Sequence, residues 1–442
     1  MNLFIIICGA LIFIVVAIAK FKIHPFITLI LAAIMVGFLM GLDGVVILDK
    51  ISEGFGKTLS SIGIIIGFGA IIGIFLEKSG GTASIAKYLL SVIGDKKSPL
   101  AINLTGVLVS IPVFCDSAFI ILSSLNKALS KKTGISVAVF AVALSTGLYV
   151  SHVFVPPTPG PLAAAAALEA DLGLVIIIGL VIALPTAFAG YLWAVKFGSK
   201  LTPTTPEIGN EMEEIVENKA NILVVFLPII MPIIFIGLRS MAKYPSHPFG
   251  DGMIADTLSF VGHPLPALFI GMLLALLLVD KKTLVKERWS WVSHALKEAG
   301  VIILITGAGG AFGSILRSGN LGELLEAQFT DLEVGIFLPF ILAALLKTAQ
   351  GSSTVAIITA ATIISPMMDV LGLDSELSRA LTVLAIGAGA MTVSHINDSY
   401  FWVVSQFSGM NTKTTLKMHT MATLIQGIVA ILLLSSVQVI LN

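Results

Sequence analysis

The sequence predicts an all-α polytopic membrane protein built as two inverted repeats of five spans, each with a re-entrant hairpin and a broken helix. Three observations lead there. First, 56% of the residues are apolar and only 12% are charged, against about a quarter charged in soluble domains. Second, apolar runs approaching the ~20 residues that cross a bilayer recur along the whole chain. Third, two polar breaks interrupt this greasy sequence, and each carries Val-Ser-His, at 150–152 and at 393–395. A net charge of zero gives no basic surface for nucleic acid. Cys8 and Cys115 both sit in apolar surroundings and form neither a disulfide framework nor a metal-ligand spacing.

The first repeat covers residues 1–197. Its first span, 2–19, lacks a basic leader and a small-residue cleavage site, so it reads as a span rather than a signal. Lys20, Lys22 and His24 make a basic turn before Pro25 opens a second span, to about 42. A polar loop with Asp49, Lys50 and Glu53 precedes a span at 57–76 with Gly63, Gly67, Gly69 and Gly73, small residues that let helices approach closely in lipid. A basic loop, 77–98, follows. Segment 99–125 is apolar but interrupted at Pro112 to Ser117, and both arms are too short to cross. It reads as a re-entrant hairpin with its tip near Asp116, which is tolerated only against protein or water. The broken helix 134–167 and a span at 172–195 complete the repeat.

Residues 198–219 form a polar, acidic cytoplasmic linker with Glu207, Glu211, Glu213, Glu214 and Glu217. The second repeat, 220–442, has spans at 220–238, 262–279 and 298–316, a hairpin over 334–368, a broken helix over 378–407 and a last span at 416–441. The same order therefore recurs. Aligning 67–76 with 307–316 matches Gly67 to Gly307, Gly69 to Gly309 and Gly73 to Gly313, and at a similar offset Ser151-His152 falls on Ser394-His395. An odd number of crossings per repeat inverts one against the other. Lys96, Lys97, Lys131, Lys132, Lys281, Lys282, Lys286 and Arg288 then gather on one side, which becomes cytoplasmic and puts both termini outside. Trp289 and Trp291 read as interface anchors, and His24, His294 and His419 as solvated or interfacial groups near span ends, with His247 and His263 in an outer loop.

Inverted repeats with paired breaks point to a secondary transporter, which holds its substrate near the midplane between half-helix ends. Helix N-termini there offer an anion site without arginine. Asp116 at the first tip is a carboxylate at membrane depth, hence a candidate proton carrier or cation ligand, and otherwise a cap of the following half-helix. His152 and His395 are candidate proton shuttles and substrate donors. Asn397, Asp398 and Ser399 crowd the second break, where they read substrate hydroxyls, carry a proton or satisfy freed backbone. Ser117 on the first tip, with Gly351, Ser352, Ser353 and Thr354 on the second, forms the candidate anion cradle, and Thr158 is a weaker candidate. Lys347 reads as a bland residue short of the second tip, or one that snorkels to the interface. No site has the spacing of a metal centre, and no cofactor is expected beyond the coupling ion.

The stretches Pro112-Val113-Phe114-Cys115-Asp116-Ser117-Ala118-Phe119 and His152-Val153-Phe154-Val155-Pro156-Pro157-Thr158-Pro159-Gly160-Pro161, supported by Ile66-Gly67-Phe68-Gly69-Ala70, resemble the gluconate:proton symporter (GntP) family. That family lies within a superfamily of elevator-type carboxylate carriers. The resemblance covers essentially the whole chain. It implies proton-coupled uptake of gluconate or a related small hydroxycarboxylate across a bacterial inner membrane, with D-serine as substrate in some members. It also implies an elevator motion and a homodimer.

Other readings stay open at this level. Sodium coupling through carbonyls and hydroxyls at the tips leaves little trace in a sequence. An intramembrane aspartyl protease would use Asp116 and Asp398 as a proton-sharing pair, but neither lies in a Gly-x-Gly-Asp setting and the histidines would be idle. An ion channel is the last alternative.

Overall fold

The computed structural model describes residues 3–94, 97–198, 218, 220–242, 248–318 and 335–441. The acidic linker lies almost wholly outside these, as does His247, and the hairpin predicted from 334 is described from 335. Every regular element among the described residues is helical. The first half holds α1 (Leu3–Ala19), α2 (Pro25–Leu39), α3 (Gly44–Lys78), α4 (Gly81–Ile93), α5 (Ser98–Val109), α6 (Cys115–Thr133), α7 (Val137–Phe154), α8 (Pro159–Ala167) and α9 (Leu172–Gly198). The second holds α10 (Ile222–Ala242), α11 (Met253–Val261), α12 (Pro264–Leu276), α13 (Lys281–Arg317), α14 (Phe337–Gln350), α15 (Ser353–Ile364), α16 (Glu376–Met391) and α17 (Ser399–Ser408). The last span, α18 (Thr412–Ile440), contains a π-helical turn over Leu416–Thr420.

Among the described residues six helices are long and apolar enough to cross a membrane, or seven if the bent pair α11–α12 counts as one. The remaining expected crossings are α1 and α2, with 17 and 15 residues, and the α16–α17 pair, which is broken at Thr392–Asp398. The chain is a multi-pass membrane protein.

Several helices outrun their apolar runs. Asp49, Lys50 and Glu53, expected in a loop, lie inside the 35-residue α3. Asp43 starts that helix by accepting from the Val45 N–H at 2.8 Å, and Lys50 pairs with Glu53 one turn on, so nothing breaks it before Ser79. The basic loop 77–98 contains α4, bounded by left-handed Gly80 and by Gly94 at φ 85°. The outer loop ends in α11, which meets α12 at 65° where Pro264 sits in the first turn of a new helix. α13 starts at Asp280, whose carboxylate accepts from Lys282 and Thr283, and so carries Trp291 inward to pack edge-on against Phe75 at 5.3 Å. Trp289 stays exposed beneath Arg288, while Trp291 belongs to the α3–α13 contact rather than to the membrane interface.

That contact is the most extensive between any two helices. It closes at Gly54 and Gly310. A Cβ on Gly54 would stand 2.4 Å from the Gly310 carbonyl oxygen, and one on Gly310 would stand 2.6 Å from that of Gly54. The α3 glycines also seat the breaks of the first half, since a Cβ on Gly73 would lie 2.3 Å from the Pro112 oxygen. Behind the breaks, α5 packs on α7 and α14 on α16, each through a glycine: a Cβ on Gly147 would lie 2.0 Å from the Asn103 oxygen, and one on Gly389 would lie 2.1 Å from the Phe340 oxygen. A methyl group forced into such a contact costs about 1–3 kcal/mol. Gly54→Ala is therefore expected to lower the melting temperature in detergent by several degrees. Gly56→Ala, with nothing within 4 Å of its Cβ, serves as the unaffected control.

Candidate functional site

Four breaks in helices set up one cavity. α5 ends at Val109 and α6 begins at Cys115. α14 ends at Gln350, and left-handed Gly351 (φ 82°) turns the chain into α15, whose first N–H groups are capped by Ser352 accepting from Val355 N at 3.3 Å. The second break is thus only Gly351 and Ser352, and Lys347 to Gln350 are helical rather than part of the turn. α7 stops at Phe154 before the prolines, so His152 lies in its last turn. α16 stops at Met391, and Thr392–Asp398 is an irregular stretch that holds His395. In that stretch Val393 takes φ 57°, a strained conformation for a β-branched residue.

A cavity of about 250 Å³ lies where these breaks meet. Phe114, Cys115 and Asp116 reach it from the start of α6, and Tyr149 and His152 from the end of α7. Ser352, Ser353 and Thr354 line it at the start of α15, and Asp398, Ser399 and Tyr400 at the start of α17. α13 closes it with Val301, Ile302 and Ile305. Three helix N-termini therefore converge, each with N–H groups that have no intrahelical partner and a partial positive charge. That combination suits an anion.

Of the residues singled out from the sequence, Asp116, His152, Ser352, Ser353, Thr354, Asp398 and Ser399 line this cavity. Asp116 Oδ1 is buried and makes no hydrogen bond, and neither does His152 Nδ1. His152 Nε2 lies 3.4 Å from Thr354 Oγ1 and so links the two halves. Four expected members stand elsewhere. Ser117 is half-buried in the first turn of α6, off the cavity. Gly351 is a backbone element, and a Cβ there would lie 2.0 Å from the Asn397 oxygen. His395 Nε2 and Asn397 Nδ2 both reach the Thr348 carbonyl oxygen, at 3.1 and 2.7 Å, and hold the end of α14 from behind. Val-Ser-His thus repeats in sequence but not in role, because the first copy is helical and the second is not. Thr158 stands at the N-cap position of α8 without a side-chain cap bond and donates instead to the Val155 oxygen at 2.7 Å.

Two residues read as peripheral are central. Lys347 is not at an interface: its side chain is 0% exposed, and its ammonium contacts the Asp398 carboxylate and donates to the Gly351 oxygen at 2.7 Å. A lysine in an apolar helix, one turn before a tip glycine and with a buried aspartate elsewhere in the chain, was the available signal. His419 is fully buried rather than interfacial, between Ser394 Oγ and Ser145 Oγ, each 3.1 Å away. Asp398 also accepts from Ser394 Oγ and, through Oδ1, from Tyr400 N at 3.1 Å. The Ser394 hydroxyl hydrogen is spent on Asp398, so His419 Nε2 must donate to Ser394. Tyr149 and Tyr400 were also missed. They pack at 5.2 Å, and Tyr400 donates to the Ser145 oxygen at 3.1 Å.

Asp398 is held by Lys347, Ser394 and the Tyr400 amide rather than by Asp116. Removing the His419 imidazole would take one hydrogen-bond partner from each of two buried hydroxyls, at about 0.5–1.5 kcal/mol apiece. His419→Leu is expected to lower the melting temperature by several degrees, and His419→Gln, which keeps one donor and one acceptor, by less.

The profile of the GntP family permeases matches residues 1–440. A gluconate permease of Pseudomonas aeruginosa is 34% identical over 441 residues, covering 96% of this chain and 95% of its own. The low-affinity gluconate transporter of Escherichia coli is 30% identical over 431 residues, 95% of each chain. Among solved structures, MtrF of Neisseria gonorrhoeae, described as one of a class of antimetabolite efflux pumps, superposes with a TM-score of 0.69 at 15% identity, over 95% of this chain and 96% of its own. That likeness is one of fold. The chain belongs to the GntP permease family and is a membrane transporter, not an enzyme.

Proposed function

We propose that this permease is a proton-coupled symporter that takes up gluconate or a related sugar-acid monoanion across a bacterial inner membrane. The observation that carries the reading is the cavity itself: three helix N-termini face a space of about 250 Å³ whose one unpaired charge is Asp116. The substrate carboxylate would rest on Ser353, Thr354 and the N–H groups of α15. Its hydroxyls would meet Ser399, Tyr149, His152 and Asp116.

Charge balance supplies the coupling. Two aspartates and one lysine leave the empty site with one net negative charge. An anionic substrate adds a second, and two like charges ~6 Å apart at an effective dielectric of about 20 repel by roughly 3 kcal/mol. A proton on an aspartate removes that cost, so substrate and proton enter together. Ser117, His395, Gly351 and Asn397 act in this scheme by shaping the tips rather than by touching substrate.

The inverted-repeat architecture is part of the proposal. Its support is the repeated succession of breaks, α5–α6 and α7–α8 in one half and α14–α15 and α16–α17 in the other. The homodimer, the elevator motion and the outward termini rest on the family resemblance and on the distribution of lysines.

Reconstituted in vesicles, the protein is expected to accumulate labelled gluconate when the outside is made acidic without sodium. Asp116→Asn is expected to abolish uphill accumulation while leaving downhill exchange measurable. Accumulation that follows an imposed sodium gradient instead would replace the proton with sodium. Undiminished uphill uptake by Asp116→Asn would remove the residue from the mechanism.

A further inference from the structure

We infer that Lys347 is a tethered cation that fills the ion site of the second tip, which leaves Asp116 as the group that takes up the transported proton. The inference deepens the symporter reading and rests on it for the second clause. The first clause stands on geometry alone.

Main-chain carbonyl oxygens at a helix break coordinate monovalent cations in membrane transporters, and a carboxylate oxygen beside one adds the balancing charge. Here the Asp398 carboxylate and the Gly351 carbonyl offer such a place, and the ammonium of Lys347 occupies it. The negative end of α14 and the face of Tyr149, whose centroid is 6.0 Å from Nζ, complete the surroundings. A buried ammonium without partners would cost several kcal/mol, and these partners offset it. Because the lysine is carried on α14 itself, this ion arrives at high effective concentration and cannot leave with the substrate. The second tip is therefore locked to the α16–α17 break without a dissolved ion.

The consequence falls on the two aspartates. Asp398 has three contacts, from Lys347, Ser394 Oγ and Tyr400 N, and a proton added there would neutralise the partner of a buried ammonium. Asp116 Oδ1 has no partner. The titratable groups that share its cavity are Cys115 from its own helix, Tyr149 and His152 from α7, and Asp398 and Tyr400 from the start of α17. α13 contributes only Val301, Ile302 and Ile305, and α15 only hydroxyl and apolar side chains. A proton taken up there meets no fixed cation in contact.

The experiment uses the purified full chain. Without substrate, the wild-type melting temperature is expected to be the same in sodium and in choline chloride of equal concentration. Lys347→Ala is expected to melt lower in choline, and sodium or ethylammonium chloride to restore several degrees. Equal melting of the variant in all three salts would overturn the tethered-cation assignment, and so would a variant that melts in choline at the wild-type temperature. A second measurement needs no Lys347 variant. Gluconate binding is followed across about pH 5–8, the range in which a perturbed group matched to its task titrates. Asp116→Asn is expected to flatten the pH dependence, while Asp398→Asn binds more weakly but keeps it. The reverse pattern would overturn the assignment of the proton to Asp116. Failure of the wild type to bind any of gluconate, other aldonates or glycerate would sink the symporter reading, while the salt experiment would still decide the role of Lys347.

Discussion

The burial of one ammonium group constrains much of the cavity-lining part of this molecule. The Lys347 side chain is wholly buried, so the groups around it must supply negative charge or lone pairs. Asp398 must stay at the start of α17, Gly351 must keep the left-handed turn that aims its carbonyl back at the lysine, and Tyr149 must present its ring. Each of these also lines or borders the cavity. The position of the second tip is thus set by electrostatics rather than by shape alone, and the same interaction that orders the tip decides which carboxylate remains available.

Behind that pair lies a polar layer that is unusual for a membrane interior. Ser394, His419 and Ser145 connect Asp398 to α7 and α18. Gln426 donates to the Thr146 and Thr186 oxygens, and Asn103 to the Ala143 and Ala187 oxygens. These groups tie α5, α7, α9 and α18 into one body without hydrophobic help from lipid, which makes no distinction between one apolar face and another. The apolar α3–α13 pair, closed by glycines, does the corresponding job on the other side of the cavity. One wall is held by hydrogen bonds and the other by close backbone approach.

Much of this was legible in the chain itself. Apolar runs gave the helices, and the prolines and glycines at 112, 156–161 and 351 gave three of the four breaks. Asp116, Asp398 and the second-tip hydroxyls stood out because polar residues at depth are costly, and they line the cavity. Helix starts beyond the apolar runs were missed, because Asp43 caps a helix whose apolar first turn is followed by the polar stretch Asp49 to Glu53, and Asp280 caps one whose first turn is polar. The histidines were misread for a similar reason. Sequence repetition suggested equal roles for His152 and His395, but Val393 unwinds the second copy. His419 appeared peripheral because it lies near the start of its apolar run, where nothing local reveals the burial that α7 and Ser394 impose. Lys347 was misjudged because its partner is far along the chain, and an ion pair leaves no periodic trace.

The π-helical turn at Leu416–Thr420 gives the last span a register that an unbroken α-helix would not have. One residue more than a regular turn is accommodated there. Everything that follows is rotated by about 100° relative to an uninterrupted helix. His419 lies in the turn, and the side chains that reach Ser394 N from Thr423 and the α7 and α9 carbonyls from Gln426 lie beyond it. The widened turn therefore works as a phase adjustment: it lets one face of α18 grip α17's approach and the next grip α7 and α9. Losing a single residue there would leave the span just as apolar and nearly as long, yet aim its polar contacts into lipid. In this family member the length of a transmembrane segment is a loose constraint, and its phase is a tight one.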